Sequence, residues 1–145
     1  MALNFTVPGP PRGKGRPRFV RSTGHAYTPE ATRNYEAVVK LAASQAMHAS
    51  AQSLLLGPVS VEIWASFPIP KSFPRHKRED ALHGNIAPGR PDLDQIVKSA
   101  LDGMNGIVFA DDAAVADLHA QKLYSLGGGE LRVQVTERVA VKVEW

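Results

Sequence analysis

Asp92, Asp94, Lys98, Asp102, Asp111 and Asp112 fall in one short stretch of a 145-residue chain. Carboxylates brought together in partial burial repel one another, and a divalent cation removes that cost. Oxygen-only ligands suit Mg²⁺, with Mn²⁺ as a substitute. The chain has no cysteine, so a bound metal must be held by oxygen or imidazole. Its histidines, at 25, 48, 76, 83 and 119, show no metal-ligand spacing and read as structural or surface groups. A cation held by carboxylates polarises a phosphate, supplies a hydroxide-like nucleophile and stabilises the leaving oxygen. A lysine beside it adds positive charge for the transition state or orients the water.

Spacing says how these groups meet. Two residues apart in a regular helix, Asp92 and Asp94 would point roughly 200° away from each other. In an extended segment they point the same way. Asp92 is therefore expected just before a helix, where Pro91 keeps Arg90 extended, with Asp94 at or near the N-cap. Lys98 follows four residues after Asp94, about 40° around the helix, and Asp102 continues that polar face. Asp111-Asp112 comes after a Gly-containing bend that returns the chain toward the helix. Each piece alone is weak: D-x-D is common, an aspartate before a helix is usually a cap, and Asp102 alone reads as surface. The set taken in order carries the argument.

Charge is divided along the chain. Residues 1–90 carry twelve Lys/Arg against five Asp/Glu, and residues 91–145 carry five against nine, within a total of +3. The first part is suited to a polyanion and the second to a cation. Lys14, Arg16, Arg18 and Arg21 alternate with Gly13, Gly15 and Pro17, a pattern that brings backbone and guanidinium forks close to phosphates. Arg75, Lys77, Arg78 and Arg90 add charge ahead of the acidic motif. The alternative for both segments is a solvated loop. Phe19, Phe73 or Tyr27 could stack on unpaired bases, although Tyr27 also suits a core.

These residues need a frame. Leu3–Val7 alternates as a strand. Residues 8–27 read as a loop. Thr28 and Pro29 start a helix of about 18 residues whose inner face is Ala31, Tyr35, Val38, Ala42 and Ala46. Val59–Phe67 alternates as a half-buried strand, and residues 68–91 read as a second long loop. Leu93, Ile96, Val97, Ala100, Leu101 and Met104 form the strongest helical stripe. A strand from about Val115 to Tyr124, a turn at Gly127-Gly128-Gly129 and a strand at Leu131–Thr136 suggest a closing hairpin. The apolar tail to Trp145 could extend the sheet or meet a partner chain. Residues 1–145 thus read as one α+β domain, β-α-β-α-β-β, with a mixed or antiparallel sheet and two main helices on a face. No apolar run reaches the ~20 residues of a membrane span, and the N-terminus lacks a signal-peptide layout, so a cytoplasmic location is expected.

The segments Pro91-Asp92-Leu93-Asp94-Gln95-Ile96-Val97-Lys98, Ala100-Leu101-Asp102 and Val108-Phe109-Ala110-Asp111-Asp112-Ala113-Ala114-Val115 resemble the RusA family of Holliday junction resolvases from bacteria and their phages. Arg90, Asn105, residues 13–18 and residues 27–36 extend the likeness over most of the chain. One departure is Gln95, where the family pattern has Asn. The resemblance implies that Asp92, Asp94 and Asp112 bind Mg²⁺ and that Lys98 is the catalytic lysine, with Asp111 beside them. It also implies a homodimer that nicks four-way DNA junctions symmetrically in recombination and repair, without a membrane or a nucleotide cofactor. Two other readings stand beside it: a metal nuclease for flaps or duplex, and a non-catalytic module for branched DNA. If about six of Lys14, Arg16, Arg18, Arg21, Arg90 and their neighbours touch phosphates, junction affinity should fall by orders of magnitude between about 50 and 200 mM salt. Fluorescence anisotropy across that range measures it, and a flat response removes the phosphate contacts.

Overall fold

The structure is a computed structural model that describes residues 2–15, 18–19, 22, 24–27, 30–139 and 142–144, with backbone alone at 18–19, 26–27 and 30–32. Among the described residues ten elements follow in order: strands β1 (Ala2–Pro8), β2 (Arg18–Phe19) and β3 (Ala26–Tyr27), helix α1 (Glu30–Ala49), strand β4 (Val59–Pro68), helices α2 (Arg75–Leu82) and α3 (Leu93–Met104), a 3-10 turn (Asp112–Ala114), and strands β5 (Val115–Ser125) and β6 (Glu130–Glu137). The architecture is α+β, with a mixed four-stranded sheet and three helices. No helix among the described residues is long and apolar enough to cross a membrane.

The main sheet runs β1-β6-β4-β5. β6 pairs antiparallel with both β1 and β4, while β5 pairs parallel with β4. The expected β5–β6 hairpin is therefore corrected: β4 lies between them. Residues 126–129 carry the chain past the end of β4, and Gly129, at φ +84°, accepts a hydrogen bond from Gly9 N at 3.0 Å through its carbonyl. A parallel pair needs a long crossover. Here α2 and α3 supply it.

Alternation places the core. Val59, Val61, Ile63, Ala65 and Phe67 of β4 are buried together with Leu131, Val133 and Val135 of β6 and Leu3, Phe5 and Val7 of β1. Ile96, Ala100 and Met104 of α3 and Tyr35, Val39, Ala43 and Met47 of α1 lie in the same cluster. Fully burying a side chain such as Ile96 contributes about 1.5–3 kcal/mol. Tyr35, Val39, Ala43 and Met47 form the buried α1 stripe at i, i+4, with the expected Ala42 and Ala46 packed partly buried beside it, so the expected stripe needs correction at Val38. Val38 stays 47% exposed and Val39 is fully buried. The α3 stripe stands, with Ser99 and Gly103 added to its buried face.

Two loops hold more order than expected. Residues 8–27 contain the short β2–β3 pair. Residues 68–91 contain α2, whose only buried residue is Ala81. That helix has almost no apolar stripe to betray it. The expected helix start at Thr28-Pro29 and the tail end at Trp145 lie outside the described residues. Val139 and Val143 in the tail are exposed and belong to no strand.

The contact between α1 and α3 is the tightest between helices. A Cβ on Gly103 would stand 2.5 Å from Val39 Cγ1 and 3.1 Å from the Glu36 carbonyl oxygen. Gly103→Ala should therefore destabilise the fold by about 1–3 kcal/mol, the usual range for overpacking. Urea unfolding measures this, and an unchanged midpoint would show that α1 can draw back freely.

Candidate active site

α3 positions most of the acidic motif. Asp92 is its N-cap, extended at φ −65° and ψ 145°, and its side chain makes no capping bond. Asp94 lies in the first turn. Both are exposed. The positive end of the helix favours carboxylates here. The preceding Arg90–Pro91 peptide is cis. Lys122 of β5 holds this approach by donating to the Gly89 carbonyl at 2.7 Å and the Pro91 carbonyl at 3.2 Å. Sequence reading missed Lys122. Its signal was a charge on the same strand face as Leu118, Ala120 and Tyr124, where apolar residues are the rule.

The chain returns from α3 as its motif requires. Ile107 N and Val108 N both bond the Met104 carbonyl, at 3.0 Å each. Gly106 takes φ +78° in this bend, and Phe109 is fully buried. Asp111 and Asp112 follow. Lys98 Nζ lies 3.0 Å from Asp112 Oδ2 and 3.3 Å from Asp102 Oδ1. Hydrogen bonds to Asp112 first, then to Asp102, raise the Lys98 pKa above its ordinary 10.5. The Lys98 ammonium likewise holds the Asp112 carboxyl below the usual carboxylate range. Lys98 is therefore a fixed cation at neutral pH.

Asp102 is more than surface. Its side chain is only 16% exposed, and its second oxygen, Oδ2, lies 2.9 Å from Lys14 Nζ. Lys14 also pairs with Glu36 of α1 at 2.7 Å. The loop that carries Lys14 is pinned to α3. Ser99, buried, donates its hydroxyl to the Arg12 carbonyl at 2.8 Å. Lys14 N donates to the Gln95 carbonyl at 2.8 Å. So the ammonium expected to face DNA points at two carboxylates instead. Arg16 and Arg21 lie outside the described residues, as does the Arg18 side chain. Arg90 is exposed beside Asp92.

Of the aromatics expected to stack on bases, Phe73 is half-buried and engaged within the chain. Its ring stands edge-on to Tyr124, with centroids 5.8 Å apart, and Lys77 Nζ lies 4.2 Å above it. The side chains of Phe19 and Tyr27 lie outside the described residues. All five histidines are exposed.

The donor set suits a hard divalent cation in its chemistry. Asp92 and Asp94 present carboxylates with no protein partner among the described residues. The spacing is open: among the described residues, no three Asp, Glu or His side chains are grouped to hold a metal ion.

The family model described as Endodeoxyribonuclease RusA matches residues 8–136. A protein of Bacillus subtilis (strain 168), named "Uncharacterized protein YqaN", is 36% identical over 141 residues, covering 94% of this chain and 95% of the relative.

The Lys14 pairs set a stability prediction. Burial pulls the Lys14 pKa down, but its hydrogen bonds to Glu36 and Asp102, with their charges, raise it above the ordinary 10.5. A raised lysine contributes fully below its unfolded pKa, and the contribution is lost as pH rises through the folded value. Lys14→Met should cost about 1–2 kcal/mol at neutral pH, since half-buried Glu36 loses its cation and Asp102 loses one of its two. Urea unfolding of both proteins should show the difference narrowing only above pH 10.5. No difference at pH 7 would make the pairs incidental.

Proposed function

The chain belongs to the RusA endodeoxyribonuclease family, and from that premise we propose that it cuts four-way DNA junctions as a Mg²⁺-dependent homodimer. The observation that carries this reading is the Lys98–Asp112 pair. It joins the two halves of the motif, fourteen residues apart, midway along a helix whose other face is core.

In this reading Asp92, Asp94 and Asp112 hold the cation, and Mn²⁺ substitutes for Mg²⁺. The cation would polarise the scissile phosphate and acidify water there. Each residue of the chain has a task. Asp92 and Asp94, already solvent-facing and unpartnered among the described residues, bind without breaking a contact seen there. Asp112 must share or leave Lys98. The Lys98 ammonium, charged and 53% exposed, then faces the negative charge that develops on the phosphate. Water attacks phosphorus in line, the 3′-oxygen leaves, and a 5′-phosphate remains. Lys122 keeps the Gly89–Pro91 segment, and with it Asp92, in place. Arg90 and the arginines of the N-terminal loop, Arg16, Arg18 and Arg21, bind the DNA backbone. Two coordinated cuts require two sites, which a two-fold dimer supplies.

The test is cleavage of a labelled four-way junction, a flap and a duplex, with Mg²⁺, Mn²⁺ or EDTA. Paired, symmetric, metal-dependent nicks in the junction are the expected result. Asp92→Asn, Asp94→Asn and Asp112→Asn should each slow cutting on the order of a thousandfold or more while leaving junction binding intact. Preference for flaps or duplex would redirect the substrate. Tight junction binding without a cut under either ion would leave a DNA-binding module.

A further inference from the structure

Five charged side chains alternate in sign across four parts of the fold. Glu36 of α1 meets Lys14 at 2.7 Å, and Lys14 meets Asp102 of α3 at 2.9 Å. Asp102 meets Lys98 at 3.3 Å, and Lys98 meets Asp112 at 3.0 Å. The two lysines use different oxygens of Asp102, so its carboxylate plane is set from both sides. Lys14 can turn little, since its backbone is bonded to α3 and its neighbour Gly13 has no room for a side chain. A Cβ on Gly13 would stand 2.9 Å from Gln95 Cβ.

An ordinary i, i+4 ion pair on a helix surface contributes a few tenths of a kcal/mol and orients little. Arg75–Glu79 is of that kind, with side chains 94% and 59% exposed at 3.4 Å. Asp102 differs: it is 16% exposed and bears a second cation held by another element. Three half-buried groups are arranged behind one lysine that reaches solvent.

We propose that Asp102 is a positioning residue for Lys98, itself aimed by the Lys14–Glu36 pair, and that it keeps the Lys98 ammonium at the reaction centre when Asp112 turns away. This rests on the reading of Lys98 as the cation that faces the phosphate. Of the two carboxylates on Lys98, only Asp112 belongs to the proposed ligand set. A lysine held by Asp112 alone would be released when that carboxylate moves. Asp102, bound from behind, stays. The N-terminal loop thereby acts on chemistry through α3 as well as through any contact with DNA.

The test has two arms. The first is a double-mutant cycle on single-turnover junction cleavage. Asp102→Asn should slow cutting about tenfold or more with junction affinity within about twofold of wild type, and should add no further loss to Lys98→Met. Lys14→Met should act in the same direction more weakly, again only when Lys98 is present. It leaves α3 intact, so it carries this arm if Asp102→Asn does not fold. Losses that multiply with Lys98→Met, or wild-type cutting by Asp102→Asn, overturn the proposal. The second arm needs no activity: NMR of the Lys98 ammonium reports its order. Lys98 should stay ordered in Asp112→Asn and become mobile in Asp102→Asn/Asp112→Asn. Mobility already in Asp112→Asn overturns the proposal. Failure of wild type to cut any junction would sink the resolvase reading, while this second arm would still decide what holds Lys98.

Discussion

The close approach of α1 and α3 at Gly103 governs the site. With no side chain there, Val39 and the Glu36 backbone reach the surface of α3. That contact sets Glu36 opposite Asp102, two carboxylates that would repel if left alone. Lys14 occupies the space between them and bonds to both. The N-terminal loop is therefore closed onto the helix pair from inside, by charge, as well as by the Ser99 and Gln95 hydrogen bonds. A bulkier residue at 103 would widen the space that one ammonium now spans.

α3 serves two purposes along one axis. Ile96, Ala100 and Met104 anchor it in the core, while Asp94, Lys98 and Asp102 mark the other face. The helix dipole treats these acids differently. Asp92 and Asp94 sit at the positive end, where carboxylates are favoured and can remain without protein partners. Asp102 sits near the negative end, where a carboxylate is disfavoured. It is held there by two lysines. Two of the three acids proposed to bind metal, Asp92 and Asp94, are thus lightly held, Asp112 is shared with Lys98, and the heavily held Asp102 stays in the scaffold.

The placement of the acidic motif along the chain was more legible than the frame around it. Asp92 before the helix, Asp94 in its first turn, Lys98 one turn on and Asp112 folded back all followed from spacing and backbone geometry, because each relation is local or crosses one bend. Lys14–Glu36 and Lys14–Asp102 span long stretches of chain, and periodicity carries no information about such partners. The roles of Lys14 and Asp102 were hidden for that reason. Strand alternation likewise tells which residues face inward but not which strands are neighbours. The exposed β5 strand, with its weak burial alternation, looked like half of a hairpin when it is an edge joined in parallel to β4. α2 escaped because Arg75-His76-Lys77-Arg78-Glu79-Asp80-Ala81-Leu82 buries only Ala81.

Gln95 shows how the fold absorbs a departure from the RusA pattern, which has Asn at this position. A Cβ at position 13 would meet Gln95 Cβ at 2.9 Å, Pro91 Cβ at 3.0 Å and Gln95 Oε1 at 3.3 Å. The residue thus faces the N-terminal loop, and its own backbone carbonyl takes the Lys14 amide. The Gln95 side chain lies along Gly13, where glycine alone leaves room for it. Asn, one methylene shorter, would cover less of that loop. The substitution therefore bears on how firmly residues 12–14 close over α3, and so on where Lys14 points. Asp92 and Asp94 precede Gln95 in sequence and face solvent.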